Sequence, residues 1–120
     1  MTIQDSVVIV DGARTAVGTC GGAFKATAAH ELAATAIVAA LDRAGVARDV
    51  VDEVVLGCVG QVGPDAFNAR RAALAAGLPA QTNAYNVNRL SVAVCKRSGA
   101  RRWSWGWERS TSPWLVAMRT

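Results

Sequence analysis

The chain has 120 residues, a length that suits one small domain or part of one. Hydrophobic residues make up 52% of it, which excludes a wholly disordered protein, yet only two Phe and one Tyr are among them. Because the apolar residues are mostly Ala and Val, packed layers of sheet and helix are needed to bury a core.

The net charge of +4 is unevenly distributed along the sequence. Residues 1–90 hold seven basic and eight acidic side chains, a net charge of −1, whereas residues 91–120 hold six basic and one acidic, a net charge of +5. A basic excess attracts nucleic acid. Here, however, the excess belongs to the carboxyl-terminal tail and not to the body of the chain.

The three cysteines are far apart, and the chain has a single histidine, His30. Zinc ligands come in close pairs and disulfide frameworks use even numbers of cysteines, so we expect neither a metal site nor disulfide bonds. The amino terminus has no basic flank followed by an apolar run, and no stretch of eighteen apolar residues occurs. We therefore expect a cytoplasmic protein with no signal peptide and no membrane span.

Residues 6–10, Ser-Val-Val-Ile-Val, predict a short strand buried on both faces. The loop of residues 13–24 is rich in glycine. Because it has neither of the glycine spacings that bind phosphate, its glycines indicate tight turns and not a nucleotide site.

A helix is predicted to begin at the cap Thr27 and to continue to Ala44, with Glu31 in its first turn, where the helix dipole favours an anion. Gly45 is expected to end it in the left-handed conformation. His30 lies in the first turn, and without an acidic or thiol neighbour in sequence it is interpreted as a surface histidine and not a catalytic one. One apolar stripe with helical spacing comprises Ala33, Ile37, Ala40, Leu41 and Ala44.

Residues 54–59 predict a second strand, within which Cys58 is interpreted as a small buried hydrophobic residue. With the strand of residues 6–10 and the helix between them, this strand would complete a parallel βαβ unit. A third strand is predicted over residues 82–88, where small or apolar residues alternate with polar ones. In layered α/β folds, reactive groups are usually found at the carboxyl ends of such strands.

Between the second and third strands, Asp65 is the expected cap of a helix over residues 66–76. The run Gly77-Leu78-Pro79 has the order typical of a helix stop. Arg70 and Arg71 are expected on a partly exposed face of this helix, in a salt bridge or an interface contact and not in catalysis.

Several segments resemble the thiolase family in the same order and at similar spacing. Residues 8–18 resemble the family's opening strand and A-R-T-x-x-G turn, and residues 21–24 resemble the glycine-rich segment that follows. Residues 68–79, Asn-Ala-Arg-Arg-Ala-Ala-Leu-Ala-Ala-Gly-Leu-Pro, are similar to the family's next helix. Residues 88–90, Asn-Arg-Leu, match the triplet that precedes the thiolase nucleophile in N-R-L-C-G-S-G-L-Q-A.

The resemblance implies an α/β fold of βαβ layers, with a mainly parallel sheet covered by helices. It also implies acyl transfer between acyl-CoA thioesters, through a cysteine that opens a buried helix and carries the acyl group as a thioester. Coenzyme A thioesters would be substrates and no further cofactor is implied. The family forms homodimers or homotetramers, and it supplies a histidine and a second cysteine near its carboxyl terminus as base and acid.

The chain departs from the family pattern at the decisive residue. Ser91 occupies the nucleophile's position, and the following Val-Ala-Val lacks the family's glycines. A serine hydroxyl needs a base to activate it. Cys95 lies four residues later, about one helical turn away, and is not assigned a catalytic role. We therefore expect no intact catalytic residue in this chain.

The genetic code accounts for this departure. The family's Leu-Cys-Gly-Ser-Gly-Leu-Gln-Ala can be written CTG TGC GGT AGC GGT CTG CAA GCG. Deleting the G of the cysteine codon gives CTG TCG GTA GCG GTC TGC AAG CG, which encodes Leu-Ser-Val-Ala-Val-Cys-Lys-Arg, the sequence of residues 90–97. A one-base deletion in the cysteine codon, which shifts the reading frame, therefore explains why the sequence departs from the family pattern after Leu90.

The tail of residues 91–120 contains all four tryptophans and shows no period typical of helix or strand. One frame away, its residues 105–107 are compatible with Gly-hydrophobic-Gly and residues 109–117 with Val-Asp-Val-Ala-Val-Ala-Gly-Gly-Asp, which is similar to the G-D-A-D-x-A-x-A-G-G segment of thiolases. The alternative is a small binding or scaffold protein whose basic, Trp-rich tail contacts nucleic acid, with Arg on phosphates and Trp stacked on bases.

We interpret residues 1–90 as a partial thiolase amino-terminal domain and residues 91–120 as an irregular, out-of-frame tail that is disordered. The expected protein is a truncated, catalytically inactive thiolase that does not bind nucleic acid or membranes. Apolar faces left uncovered by the missing part of a thiolase core would favour aggregation.

Overall fold

In a computed structural model, the described part of the chain comprises residues 9–88 and the strand at residues 116–117. Its sheet has three strands, β1 (Glu53–Gly57), β2 (Asn83–Val87) and β3 (Val116–Ala117), in the order β2-β1-β3. The two long helices are α1 (Ala29–Ala44) and α2 (Asn68–Ala75). This arrangement confirms the predicted α/β class.

The parallel pair of strands is formed by β1 and β2, with Glu53 opposite Asn83 and Gly57 opposite Val87. The chain between them contains α2, so this β1-α2-β2 segment is the βαβ unit of the described structure. Both strands agree with the predictions, although each is shorter than the predicted range at its carboxyl end.

The predicted pairing of residues 6–10 with β1 is wrong for the part of that segment that the structure describes. Ile9 and Val10 are exposed and belong to no strand, while residues 6–8 lie outside the described residues. The second edge of β1 is instead paired with β3, which runs antiparallel to it. Along Glu53 and Val54, β3 therefore occupies the edge of β1 that the prediction gave to residues 6–10.

Helix α1 begins one residue later than predicted, with Ala28 and not Thr27 as its cap. The Ala28 N–H donates to Glu31 Oε2 at 3.0 Å, and the Thr27 N–H donates to the carbonyl of Phe24 in the preceding turn. Glu31 therefore fixes the start of the helix from inside its first turn.

The predicted end of α1 is confirmed. Gly45 has φ 64° and ψ 30°, and the Val46 N–H donates to the Leu41 carbonyl at 3.0 Å. This is the hydrogen-bond pattern of a left-handed glycine stop.

Helix α2 begins later than predicted, because a 3-10 helix, Gly63–Phe67, precedes it. The expected Asp65 cap is wrong: this residue lies within the 3-10 helix, and its carboxylate lies 3.7 Å from Arg71 Nη1. The predicted stop is confirmed, since Gly77 has φ 74° and the Leu78 N–H donates to the Ala73 carbonyl.

The core lies between the two helices and one face of the sheet. Helix α1 contacts α2, and α2 contacts both β1 and β2. Ala72 and Ala73 are fully buried, and their small side chains allow the helices to approach closely. On β1, Val54 and Leu56 belong to this core, while Val55 points to the opposite face and is buried there.

Within the described residues, no helix combines the length and the apolar character needed to cross a lipid bilayer.

Candidate functional site

The carboxyl ends of β1 and β2 lie side by side, since the strands are parallel and in register. The Cys58 N–H continues the pairing beyond β1 by donating to the Val87 carbonyl at 3.0 Å. In α/β folds this edge of the sheet is where ligands and reactive groups are found. Ser91, the position predicted for the nucleophile, follows Val87 by four residues in the sequence.

Asn86 joins the end of β2 to the start of α2. Its Oδ1 accepts from the Ala69 N–H at 2.9 Å, and its Nδ2 donates to the carbonyls of Ala66 at 2.9 Å and Asp65 at 3.4 Å. The Ala69 N–H is one of the donors at a helix start that have no partner within the helix. Asn86 thus performs, from another element, the capping role that was predicted for Asp65.

Asn88 fastens the same strand end to the loop after β1. Its Nδ2 donates to the Val59 carbonyl at 3.2 Å, and in that loop Gln61 Nε2 donates to the Cys58 carbonyl at 3.1 Å. Asn88 directly follows β2, two positions after Asn86, and its side chain contacts the loop after β1, whereas that of Asn86 contacts the start of α2. Together, these two side chains hold the end of β2, which precedes residues 89–91, against the segment that connects β1 to α2.

Cys58 differs from its prediction, because it lies just beyond β1 and is only half-buried. Its Sγ lies 3.8 Å from the Asp65 carbonyl oxygen and 3.9 Å from Asn68 Nδ2. The strand ends at Gly57, and the thiol is therefore packed against the 3-10 helix and α2 and not inside the sheet.

Asn68 is buried at the first position of α2, with 4% of its surface exposed. Its Nδ2 reaches Cys58, but its Oδ1 has no hydrogen-bond partner within the structure described. A buried acceptor without a partner costs about 1–3 kcal/mol. The contact between Asn68 and Cys58 is part-buried and joins the end of β1 to the start of α2.

The two arginines of α2 have different roles. Arg71 forms the expected salt bridge, on a partly exposed surface, with Asp65. Arg70 instead donates to two backbone carbonyls, those of Thr82 at 2.9 Å and Ala80 at 2.7 Å, and so fastens the turn that leads into β2.

His30 is half-buried, and its Nδ1 is buried without a hydrogen-bond partner among the residues described. His30 is therefore less exposed than the predicted surface histidine. His30 lies at the start of α1. It therefore belongs to a different element from the residues at the carboxyl ends of β1 and β2.

The glycine-rich loop consists of turns, as predicted. The Gly22 N–H donates to the Thr19 carbonyl, and Gly21 has φ 71°. Gly18 packs so closely on the Phe24 ring that a Cβ there would lie 2.7 Å from the ring. In the part of the chain that the structure describes, no group of three or more His, Cys, Asp or Glu side chains could hold a metal ion.

Ser91 and Cys95 lie outside the described residues, as does most of the predicted out-of-frame tail. Within that tail, Val116–Ala117 form β3, although no strand period was expected there. Sequence reasoning missed the roles of Asn68 and Asn86. For Asn86, the available signal was its place inside a predicted strand, where asparagine is disfavoured unless its side chain has a specific partner.

Comparison with known proteins agrees with the segments that resemble thiolases. Residues 7–99 match the family described as thiolase, N-terminal domain. The chain is 53% identical over 85 residues to an acetyl-CoA acetyltransferase of Rhizobium meliloti, covering 71% of this chain and 22% of the relative. It is 45% identical over 97 residues to an acetyl-CoA acetyltransferase of Clostridioides difficile, covering 81% of this chain and 86% of that sequence.

A β-ketoadipyl-CoA thiolase of Pseudomonas aeruginosa is 44% identical over 89 residues, covering 72% of this chain and 22% of the relative. The Rhizobium relative shows the same proportion, so the chain spans about a fifth of the length of these curated relatives. The match over residues 7–99 covers more than half of the chain and includes all of α1, α2, β1 and β2. The chain therefore belongs to the thiolase family, in the region of its amino-terminal domain.

Proposed function

We propose that this chain derives from a thiolase that transfers acyl groups between coenzyme A thioesters, and that the chain itself lacks this activity. The observation that carries the first part is the match of residues 7–99 to the thiolase amino-terminal domain, together with relatives named acetyl-CoA acetyltransferase. The observation that carries the second is that Ser91 follows Asn88-Arg89-Leu90, the triplet after which the resemblance to thiolases implies a cysteine.

In the parent reaction, the cysteine thiolate attacks the carbonyl of an acyl-CoA. A new thioester forms on the enzyme and the coenzyme A thiolate leaves. The acyl group then passes to free coenzyme A, or to a second acyl-CoA in the condensing direction.

Serine does not replace the cysteine in this chain. Its hydroxyl must lose a proton to become a nucleophile, and a neighbouring base is required for that step. The single histidine of the sequence, His30, lies at the start of α1. The described ends of β1 and β2 carry amides, carbonyls, the half-buried Cys58 thiol and the Asp65 carboxylate, which is paired with Arg71.

The contacts of Asn86 and Asn88 support the proposal that the chain derives from a thiolase. Both side chains hold the strand end that leads into residues 89–91. A nucleophile at the end of such a strand needs a fixed backbone, because misplacement by about 1 Å can cost on the order of a hundredfold in rate. These contacts support the proposal that the scaffold before residue 91 is kept while the nucleophile is lost.

The activity test uses the purified chain, with its mass verified, in an assay that follows the loss of acetoacetyl-CoA in the presence of coenzyme A. The Ser91→Ala variant is the matched control, and the Rhizobium meliloti relative is the positive control. We expect the chain and its Ser91→Ala variant to give the same background rate. A rate above that of Ser91→Ala would show that Ser91 is a working nucleophile and would overturn the proposal.

The proposed frameshift is tested separately by resequencing the gene across the codons of Leu90 and Ser91. A single missing base relative to a codon for cysteine is the expected result. An uninterrupted serine codon with no alternative frame that encodes the thiolase motif would contradict the frameshift but would leave the activity test unaffected.

A further inference from the structure

The central strand β1 is paired along one edge by β2 and at the start of its other edge by a strand from the tail. Val116–Ala117 run antiparallel to β1, with Ala117 opposite Glu53 and Val116 opposite Val54. The residues of β1 that follow, Val55 and Leu56, are buried hydrophobic residues. An uncovered edge on an apolar strand of this kind is a template for pairing with another chain.

The backbone directions of β1 identify which groups the tail strand covers. The Asp52 carbonyl accepts from the Asn83 N–H, and the Cys58 N–H donates to Val87, so the backbone groups of these two residues point toward β2. Backbone groups alternate in direction along a strand. Glu53 therefore points toward β3, and its pair with Ala117 is the hydrogen-bonded kind of antiparallel pair.

We propose that Val116–Ala117 are a built-in cap for β1, which keeps β1 of one copy from pairing with β1 of a second copy. The sequence around β3 suits this role. Residues 91–120, to which β3 belongs, carry a net charge of +5 in the sequence, and like charges on two copies oppose their association. This inference is independent of the proposed function.

The cap is expected to be reversible. Two residue pairs contribute few hydrogen bonds, and the pairing closes a loop of roughly 60 residues, which has an entropic cost. Opening of the cap exposes the Glu53 backbone, while the core between α1 and α2 stays intact because it is built from residues 33–78.

The test compares a chain that ends at Leu115 with a chain that ends at Ala117. Both lack Met118, Arg119 and Thr120, so they have the same net charge and differ only by β3. Sedimentation velocity over a range of concentrations should show that the chain ending at Leu115 self-associates at about tenfold lower concentration, a change equivalent to about 1.4 kcal/mol. The chain ending at Ala117 should behave as the full chain does.

Amide hydrogen exchange supplies the second readout. The Glu53 amide should exchange faster in the chain ending at Leu115, with the amides of α2 unchanged as evidence that the core is folded. If that chain does not fold, Ala117→Pro in the full chain removes the N–H that faces Glu53, and Ala117→Val retains it as the control. The proposal is overturned if the two truncated chains, or the two Ala117 variants, self-associate equally. It is also overturned if the Glu53 amide exchanges at the same rate in both members of a pair.

Discussion

Replacement of Asn86 by alanine should loosen the start of α2 more than any nearby change on the same strand. The variant loses the bond from the Ala69 N–H to Oδ1 at 2.9 Å, and it loses donation from Nδ2 to the Ala66 carbonyl at 2.9 Å. Loss of a helix cap costs about 1 kcal/mol. Loss of the second interaction adds about 1 kcal/mol, a modest figure because Asn86 is half-buried and water can reach the carbonyl.

A cost of about 2 kcal/mol corresponds to roughly a thirtyfold change in a local opening equilibrium. The assay is native-state amide exchange of Ala69, followed by nuclear magnetic resonance, since it reports this opening directly. We expect exchange of the Ala69 amide to accelerate by about thirtyfold in Asn86→Ala. Asn86→Asp should lie between this variant and the parent, because it keeps an acceptor near a helix start but loses the donor.

The matched control is Asn83→Ala, which changes an exposed asparagine on the same strand and should alter stability by no more than about 0.5 kcal/mol. Equal exchange of Ala69 in the Asn83→Ala and Asn86→Ala variants would refute the assignment of Asn86 as the cap. Faster exchange throughout the chain, with no preference for Ala69, would refute the local mechanism as well.

Two further substitutions test the backbone contacts that organise the helices. Gly45→Ala should lower the free energy of unfolding, measured by urea denaturation, by about 1–2 kcal/mol, because a φ of 64° is strained for a residue with a Cβ. No atom lies within 4 Å of the position that this Cβ would take, so a larger loss would contradict a purely backbone cause. Arg70→Lys should lower it by about 1 kcal/mol, since an ammonium cannot reproduce the two-pronged donation to the Thr82 and Ala80 carbonyls. The exposed pair made by Arg71 provides the comparison: Arg71→Lys should change stability by less, and an equal loss would refute the special role of Arg70.

The features that sequence could predict are those determined by neighbouring residues. The apolar stripe and Gly45 define α1 and its end, and Gly77 with Leu78 defines the end of α2. In both cases the glycine's conformation and the periodicity of the preceding residues are properties of a short segment.

The features that sequence could not predict depend on residues far apart in the chain. Asn86 caps α2 from a position 17 residues beyond Ala69, and the local candidate, Asp65, pairs with Arg71 instead. The first residue of α1 was also not predicted correctly from the sequence. Thr27 is the better capping residue by type, yet Ala28 takes the position because the Glu31 carboxylate reaches its N–H.

The distribution of the core leads us to expect that the proposed loss of the nucleophile at residue 91 alters function more than the described fold. Among the described residues, the buried cluster between the helices and the sheet draws on residues 33–78, all of which precede residue 91. The bonds made by Asn86 and Asn88 likewise join parts of the chain that lie before residue 89. A nucleophile, in contrast, is a single group at a single position, and no packing within residues 9–88 can restore a thiol at residue 91. We therefore expect the βαβ unit to persist in this chain while acyl transfer is lost.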